Sequence, residues 1–265
     1  MLKKKLFMMV VGIVIAGYAN ASIIYTDDFT GTDGTSLTAY NSDWTIVGGK
    51  AQLENNVLNL GTQITGDDAD NNVLFTPAGS NTWENYTVSV DILSTRNFAT
   101  SSSSTLYTGI ILYAAAETEQ TDRLWGYQVR LLDKTGTSQA RLYIGKRTDG
   151  GGAWDLGYIN LPGWAVNTWF NLEASIATNS DHSVSISAAM RDINGNVIGE
   201  VFAVDDGSLG GRVLEANTFG FNSAMSYSAA DYHTEFDNLE VTVIPEPATI
   251  GLLVMGSALL LRKKR

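Results

Sequence analysis

The chain has 265 residues, no cysteine, and 28 acidic against 17 basic residues, for a net charge of −11. The absence of cysteine excludes disulfide staples, thiolate nucleophiles and cysteine-ligated metals. With the lysines at 3–5 and the basic residues at 262–265 set apart, residues 22–244 hold 10 basic against 27 acidic residues, about −17, a charge that repels phosphate backbones and anionic lipid and argues against nucleic-acid binding.

The first 21 residues read as a signal peptide. Lys3, Lys4 and Lys5 form a basic start, residues 6–17 form an apolar run, and Ala19-Asn20-Ala21 supplies the small-x-small pattern that signal peptidase cleaves after Ala21. The apolar run falls short of the ~20 residues that a retained membrane span needs. The body that follows, residues 22–244, is 223 residues long. All-β sandwiches of that size still form one domain and bury a sizeable core.

Alternation of apolar and polar residues marks the expected strands. Tyr86, Val88, Val90 and Ile92 alternate with Thr87, Ser89 and Asp91, the period of a half-buried strand. Residues 107–116 are apolar on both faces, as expected for the middle of a sandwich. The pattern continues at Tyr127, Val129 and Leu131, and at Ala140, Leu142 and Ile144. It returns at Phe170, Leu172, Ala174 and Ile176, and at Val184, Ile186, Ala188 and Met190. Residues 133–136, 149–152 and 192–196 carry the Asp, Asn and Gly of turns. Asn194-Gly195, between two alternating runs, predicts a hairpin. Residues 101–104 are four serines, expected as a loop. No segment sustains a 3.6-residue period, and about a dozen strands at this spacing predict an all-β, two-sheet antiparallel β-sandwich or jelly roll.

At the carboxyl end, Pro245-Glu246-Pro247 stops the last strand, because two prolines cannot continue a ladder. Fourteen uncharged residues, 248–261, lead to Arg262-Lys263-Lys264-Arg265. As a helix that segment spans about 21 Å, short of a ~30 Å hydrocarbon core, and the basic end favours the cytoplasmic side. Pro245, Glu246 and Pro247, the Gly-containing apolar segment and the basic end together resemble the PEP-CTERM sorting signal. The resemblance implies export across the inner membrane of a Gram-negative bacterium. It also implies transient anchoring in that membrane by a C-terminal hydrophobic helix, then processing near the Pro-Glu-Pro by an exosortase. Proteins with this signal are associated with exopolysaccharide and extracellular matrix.

The opening Tyr25-Thr26-Asp27-Asp28-Phe29-Thr30-Gly31 with Trp44, and the ending Phe236-Asp237-Asn238-Leu239-Glu240-Val241, resemble the first and last strands of concanavalin A-like jelly rolls, the fold of many lectins, laminin G-like modules and glucanases. In such a fold the last strand lies beside the first. Residues 235–240 also fit the Glu-x-Asp-x-x-Glu pattern of laminarinase-like glycosidases of this fold. That resemblance implies Glu235 and Glu240 as nucleophile and acid/base, with carboxyls about 5–5.5 Å apart in the retaining geometry. A regular strand puts residues 235 and 240 on opposite faces; a β-bulge at Asn238 puts Glu235, Asp237 and Glu240 together and leaves Phe236, Leu239, Val241 and Val243 on the other face. The motif lies only four residues before Pro245, whereas the enzymes carry it mid-chain. The preferred reading is therefore a terminal strand with a solvated or cation-holding acidic face.

Calcium is the expected ion if one is bound, because oxygen ligands abound. Asp28 with Asp237 is one candidate pair, and Asp68, Asp70 and Asn72 are another, although that loop departs from the EF-hand pattern at Val73 and Gly79. Two histidines, His182 and His233, with no Gly-x-Ser-x-Gly elbow give poor support to a nucleophilic triad or a zinc site. For ligand binding, Gln128 and Arg130 share one polar strand face, and Arg141 and Tyr143 share the next. If those strands pair, the four side chains form a patch with hydrogen-bond donors and an aromatic platform, and Trp154 and Trp164 are expected in loops nearby. The sequence points to an exported, non-catalytic sandwich that binds or organises extracellular polysaccharide, with no obligatory cofactor. A laminarinase-like hydrolase and a purely structural matrix protein are the alternatives.

Overall fold

The computed structural model describes residues 21–61, 70–78, 83–95, 107–119, 122–132, 140–213, 218–224 and 233–243. The expected signal peptide up to residue 20, the candidate ligand Asp68, the serine loop at 101–104, the turn at 133–136 and the sorting tail with Pro245, Glu246 and Pro247 lie outside these. Fifteen strands and one helical turn follow in order: β1 (Ser22–Asp27), α1 (Leu37–Tyr40), β2 (Trp44–Gly48), β3 (Gln52–Glu54), β4 (Val57–Gly61), β5 (Asp70–Phe75), β6 (Asn85–Ser94), β7 (Tyr107–Ala116) and β8 (Leu124–Leu132). Then come β9 (Ala140–Arg147), β10 (Ala153–Leu161), β11 (Phe170–Thr178), β12 (Val184–Arg191), β13 (Val197–Asp205), β14 (Phe219–Ala224) and β15 (His233–Val243).

The strands form two antiparallel sheets stacked as a sandwich. Sheet I runs β13-β12-β11-β6-β15-β4-β3, with β1 also on β15; sheet II runs β10-β9-β8-β7-β14-β5-β2. The alternations read from sequence set their inner faces: Tyr86, Val88, Val90 and Ile92 on β6 and Leu172, Ala174 and Ile176 on β11 are buried. The hairpin expected at Asn194-Gly195 joins β12 to β13, with Gly195 at φ 80° where a side chain is disfavoured. β7 is flanked on both edges and buried on both faces, matching its unbroken apolar run. His182 sits in the turn between β11 and β12 at φ 63°.

β15 holds sheet I together. One edge pairs with β6 along nearly its whole length, while the other is divided: His233–Phe236 pairs with β4, and residues 239–243 pair with β1. The register shift falls between Asp237 and Glu240, with Asn238 at φ 50°. The bulge thus sits where β15 changes neighbours, and it turns Phe236, Leu239 and Val241 into the core together. Asn tolerates this left-handed backbone better than other side chains do.

Two contacts tie the sheets to each other. Phe236 of β15 stacks on Phe221 of β14 with ring centroids 4.5 Å apart and planes at 9°, and Trp44, Phe75 and Phe219 extend that aromatic layer. At the far end, Lys146 of β9 donates from Nζ to Asp205 Oδ2 of β13 at 2.8 Å and to the Gly211 carbonyl at 2.6 Å. Tyr127 Oη donates to the same carboxylate at 2.8 Å. Both members of the ion pair are essentially inaccessible to solvent. Breaking such a pair leaves a buried carboxylate without its cation. Lys146→Met is expected to lower unfolding stability by about 3–5 kcal/mol, and Lys146→Met with Asp205→Leu is expected to recover most of that loss; urea denaturation of the two variants checks this, and an unaltered midpoint for Lys146→Met would refute it.

Candidate functional site

The outer face of sheet II gathers the side chains expected to bind ligand. β8 and β9 pair so that Arg130 faces Tyr143, Leu132 faces Arg141 and Gln128 faces Gly145. The register of the neighbouring strands extends this into a row across the sheet: Asn72 opposite Asn222, Asn222 opposite Gly109, Gly109 opposite Arg130, Arg130 opposite Tyr143, and Tyr143 opposite Tyr158. Gly109 has no side chain, so Arg130 crosses over β7 to reach Asn222. With the Asn222 amide turned so that its oxygen faces Arg130, it accepts from Nη2 at 2.7 Å and Nε at 3.3 Å. The Arg130 guanidinium also lies over the Tyr107 ring, 3.7 Å from its centroid.

The second arginine is arranged alike. Arg141 lies over the Tyr158 ring at 4.3 Å and donates from Nε to Asn160 Oδ1 at 3.1 Å. Tyr143 lies flat along its own strand, over Gly145, where a Cβ would collide with the phenol. Its hydroxyl donates to Asp155 Oδ1 at 2.7 Å, and burial followed by that bond pushes its pKa up while nearby Arg130 opposes the shift. Gln128 is 4% exposed, and its amide nitrogen has no hydrogen-bond partner among the described residues. Tyr158 is half exposed and offers the open aromatic surface.

The sequence reading placed Gln128, Arg130, Arg141 and Tyr143 on adjacent strands, and the structure brings them together. It corrects the two tryptophans. Trp154 belongs to β10, opposite inward-facing Lys146, and packs on Gly210, while Trp164 is buried against the core; neither adds a stacking surface to the patch. Tyr107, Tyr158 and Asn222 take that place. Tyr158 was visible in sequence as an aromatic in a polar stretch, but the partnership of Arg130 with Asn222 depends on pairing across β7 and left no local signal.

The acidic strand lies on the opposite side of the molecule. The bulge does bring Glu235, Asp237 and Glu240 to one face, the outer face of sheet I, as the Phe236-Leu239-Val241 pattern required. The two glutamates are turned apart along the strand, however. Glu235 Oε1 pairs with His233 Nε2 at 2.9 Å, and Glu240 Oε1 accepts from Thr242 Oγ1 at 3.3 Å, each partner lying beyond the span between them. A shallow groove of about 410 Å³ there is lined by Ser89, Asp91, Asn171, Glu173 and Glu240.

Asp28 lines a cleft of about 840 Å³ beside the bulge, with Tyr25, Tyr40, Asn41, Asp27 and Glu240, and its charge reaches Asp237 on β15. Asp27 is fully engaged: Tyr25 Oη and Tyr40 Oη donate to it at 2.7 and 2.8 Å, and the Phe29 N–H at 2.8 Å. Asp28 and Asp237 alone fall short of the six to eight oxygens that calcium takes, and among the described residues no three His, Asp or Glu side chains are grouped to hold a metal. Asn72, from the second candidate loop, is on β5 and donates to the Asp122 carbonyl at 2.8 Å. Among the described residues no helix is long and apolar enough to cross a membrane.

No protein-family model matches the chain, and no curated protein matches it. Solved structures do. The CBM2 module of the evolved Dit protein of Lactobacillus casei BL23 phage J-1 aligns at 12% identity over 85% of this chain and 97% of its own, with TM-score 0.51. Lectin UEA-II complexed with galactose aligns at 8% identity over 82% and 97%, TM-score 0.51. The marine PL-14 alginate lyase from Aplysia kurodai aligns at 9% identity over 85% and 100%, TM-score 0.51. The likeness is one of fold. It agrees with the lectin-like jelly roll expected from the two terminal strands.

Burial of the Asp237 carboxyl, then the neighbouring carboxylates of Asp91, Asp28 and Asp27, raise its pKa against the opposing hydrogen bond from Asn238. The folded state therefore holds this proton more tightly than the unfolded chain does, and the stability it contributes at low pH is lost as pH rises through the folded pKa. Asp237→Asn is expected to melt above the parent at pH 7, and the gain should fade towards about pH 3, where the parent carboxyl is protonated in both states. Thermal unfolding at several pH values tests this; a variant that melts at or below the parent at pH 7 would count against it.

Proposed function

We propose that this chain is an exported, non-catalytic β-sandwich that binds extracellular polysaccharide through the outer face of sheet II. The observation that carries the reading is the cross-strand row in which Arg130, Asn222 and Tyr143 meet the half-exposed Tyr158. Sugar rings present an apolar face that stacks on aromatic side chains and a rim of hydroxyls that pairs with fixed planar donors and acceptors. The fold is shared with a lectin solved with galactose, which supports the reading without assigning a ligand. The opposed turning of Glu235 and Glu240 weighs against the laminarinase-like alternative.

Export supplies the setting. Signal peptidase acts after Ala21, the apolar tail anchors the chain transiently in the inner membrane, and an exosortase processes it near Pro245-Glu246-Pro247. Mass spectrometry of protein recovered from the cell surface or matrix is expected to find Ser22 as the first residue and to lack the terminal Arg262-Lys263-Lys264-Arg265. An intact 265-residue chain confined to cytosol would overturn this part.

Binding is tested with the purified full chain against a panel of matrix polysaccharides by affinity electrophoresis. Tyr158→Ala is expected to weaken binding by about 1 kcal/mol, roughly fivefold, through lost stacking, and Glu235→Gln is expected to leave binding unchanged. Failure to bind any polysaccharide would retire the proposal, and glycan hydrolysis abolished by Glu235→Gln would install the enzyme instead.

A further inference from the structure

The two ends of the sandwich domain leave the fold side by side. Ser22, the first residue of β1, pairs with Val243, the last of β15. Ala248, where the apolar tail begins, follows Val243 by five residues, a reach of at most about 18 Å of extended chain. On the amino-terminal side Gly17, where the other apolar run ends, precedes Ser22 by the same five residues. A bilayer that holds either segment therefore lies close to this end of sheet I.

The outer face of sheet I changes character towards that end. One cross-strand row runs Ile23, Thr242, Thr87, Ser175, Ser187 and Phe202. The next row towards the tail holds Asn85, Ala177, Ser185 and Val204. Neither carries a charge. The row on the opposite side holds Glu240, Ser89, Glu173, Ala189 and Glu200, with Asp91 and Asp237 beyond it. The carboxylates on the strands of this face are thus confined to the half away from the tail.

The uncharged half ends at both edges in apolar side chains that meet solvent. Ile23 is 58% exposed on β1 and Phe202 is 64% exposed on β13, and Ile24 and Val204 beside them are exposed as well. Six strands separate the two edges, a width of about 24 Å. The side chains between are small, and Thr87 and Ser175 satisfy each other through a 2.8 Å hydrogen bond. Such a strip loses little on leaving water, whereas the glutamate row would lose much. The turns at this end carry Glu84, Asp181 and Asp206, and the charge of Arg212 reaches the last two. Those charges keep the tip in water and favour contact through the flank.

We infer that this strip seats the body on the bilayer surface while the tail holds the chain there. Ile23, Ile24, Phe202 and Val204 dip into the boundary between headgroups and acyl chains, where aliphatic and aromatic side chains are favoured. The glutamates stand off in water, and the outer face of sheet II stays open to polysaccharide. The inference rests on the export reading above and adds an orientation to it. A shallow contact suffices, because the short tether makes the encounter intramolecular and its effective concentration high. Cutting the tail removes that help, so the same small strip no longer retains the body and release follows from processing.

The chain has no cysteine, so a single introduced one carries a nitroxide label without interference. The full chain is reconstituted in phosphatidylcholine vesicles with the label at Ser187→Cys, in the strip, or at Ile193→Cys, in the exposed turn at the other end of the sheet. The ratio of oxygen to nickel-chelate collisions is expected to be at least about threefold higher at Ser187→Cys than at Ile193→Cys, as for a side chain in the headgroup boundary. Adding Ile23→Ser and Phe202→Ser is expected to bring it down to the control value, with an unchanged circular dichroism spectrum reporting the fold. Equal ratios at the two positions in vesicle-bound protein overturn the seat and leave the anchor standing. Dipolar broadening at Ser187→Cys, the mark of a second copy covering the strip, does the same. Protein that does not float with the vesicles overturns both.

Discussion

Strand β15 is the constraint on which the remainder of the sandwich depends. It alone pairs with β6, β4 and β1, so the amino-terminal strands join sheet I only through it. It can serve two neighbours on one edge because the ladder is interrupted at Asn238, where the chain takes a left-handed turn that few residues accept. The same interruption shifts the side-chain phase, sending Leu239 and Val241 inward behind Phe236. Had the strand run on regularly, Glu240 rather than Leu239 would face the core, at a desolvation cost that no partner there offsets. The bulge is therefore a condition of the fold before it is a feature of any site.

This alters how the Glu-x-Asp-x-x-Glu pattern is to be weighed. A bulge that gathers three carboxylates on one face suits a catalytic floor, and the same bulge is demanded here by the change of neighbours and by the inward phase of the apolar residues. The motif's spacing then follows from topology alone. What a retaining hydrolase also needs, two carboxyls converging across one bond, is not what His233 and Thr242 impose on Glu235 and Glu240.

Where period-2 alternation is strong and the partner strand is close in sequence, the fold was legible: β6, β11 and β12 carry one buried face each, and Asn194-Gly195 turns one strand back on the next. β7 was legible too, since an unbroken apolar run has no solvent face. The outer face of sheet II was legible in part. Gln128, Arg130, Arg141 and Tyr143 lie on β8 and β9, whose short connection makes their pairing the simplest expectation. Asn222 is 92 positions from Arg130 and meets it across a third strand, a contact fixed by long-range register that no local pattern encodes. Trp154 was misplaced because the glycines before it resemble a loop in sequence, while in space Gly152 and the distant Gly210 make room for its ring; Trp164 does lie between β10 and β11 but is buried against the core.

The two outer faces of the sandwich differ in how their polar groups are arranged. On sheet I the polar side chains answer one another: Asn171 Nδ2 donates to Asp91 and Ser89, Asn238 donates to Asp91, and Thr87 shares a hydrogen bond with Ser175. On sheet II the guanidinium groups of Arg130 and Arg141 lie over the rings of Tyr107 and Tyr158, which limits their rotamer freedom. These arginines lie outside the aromatic layer and the Lys146–Asp205 pair that join the sheets, so the outer face of sheet II can change its side chains while the sandwich beneath it stays closed.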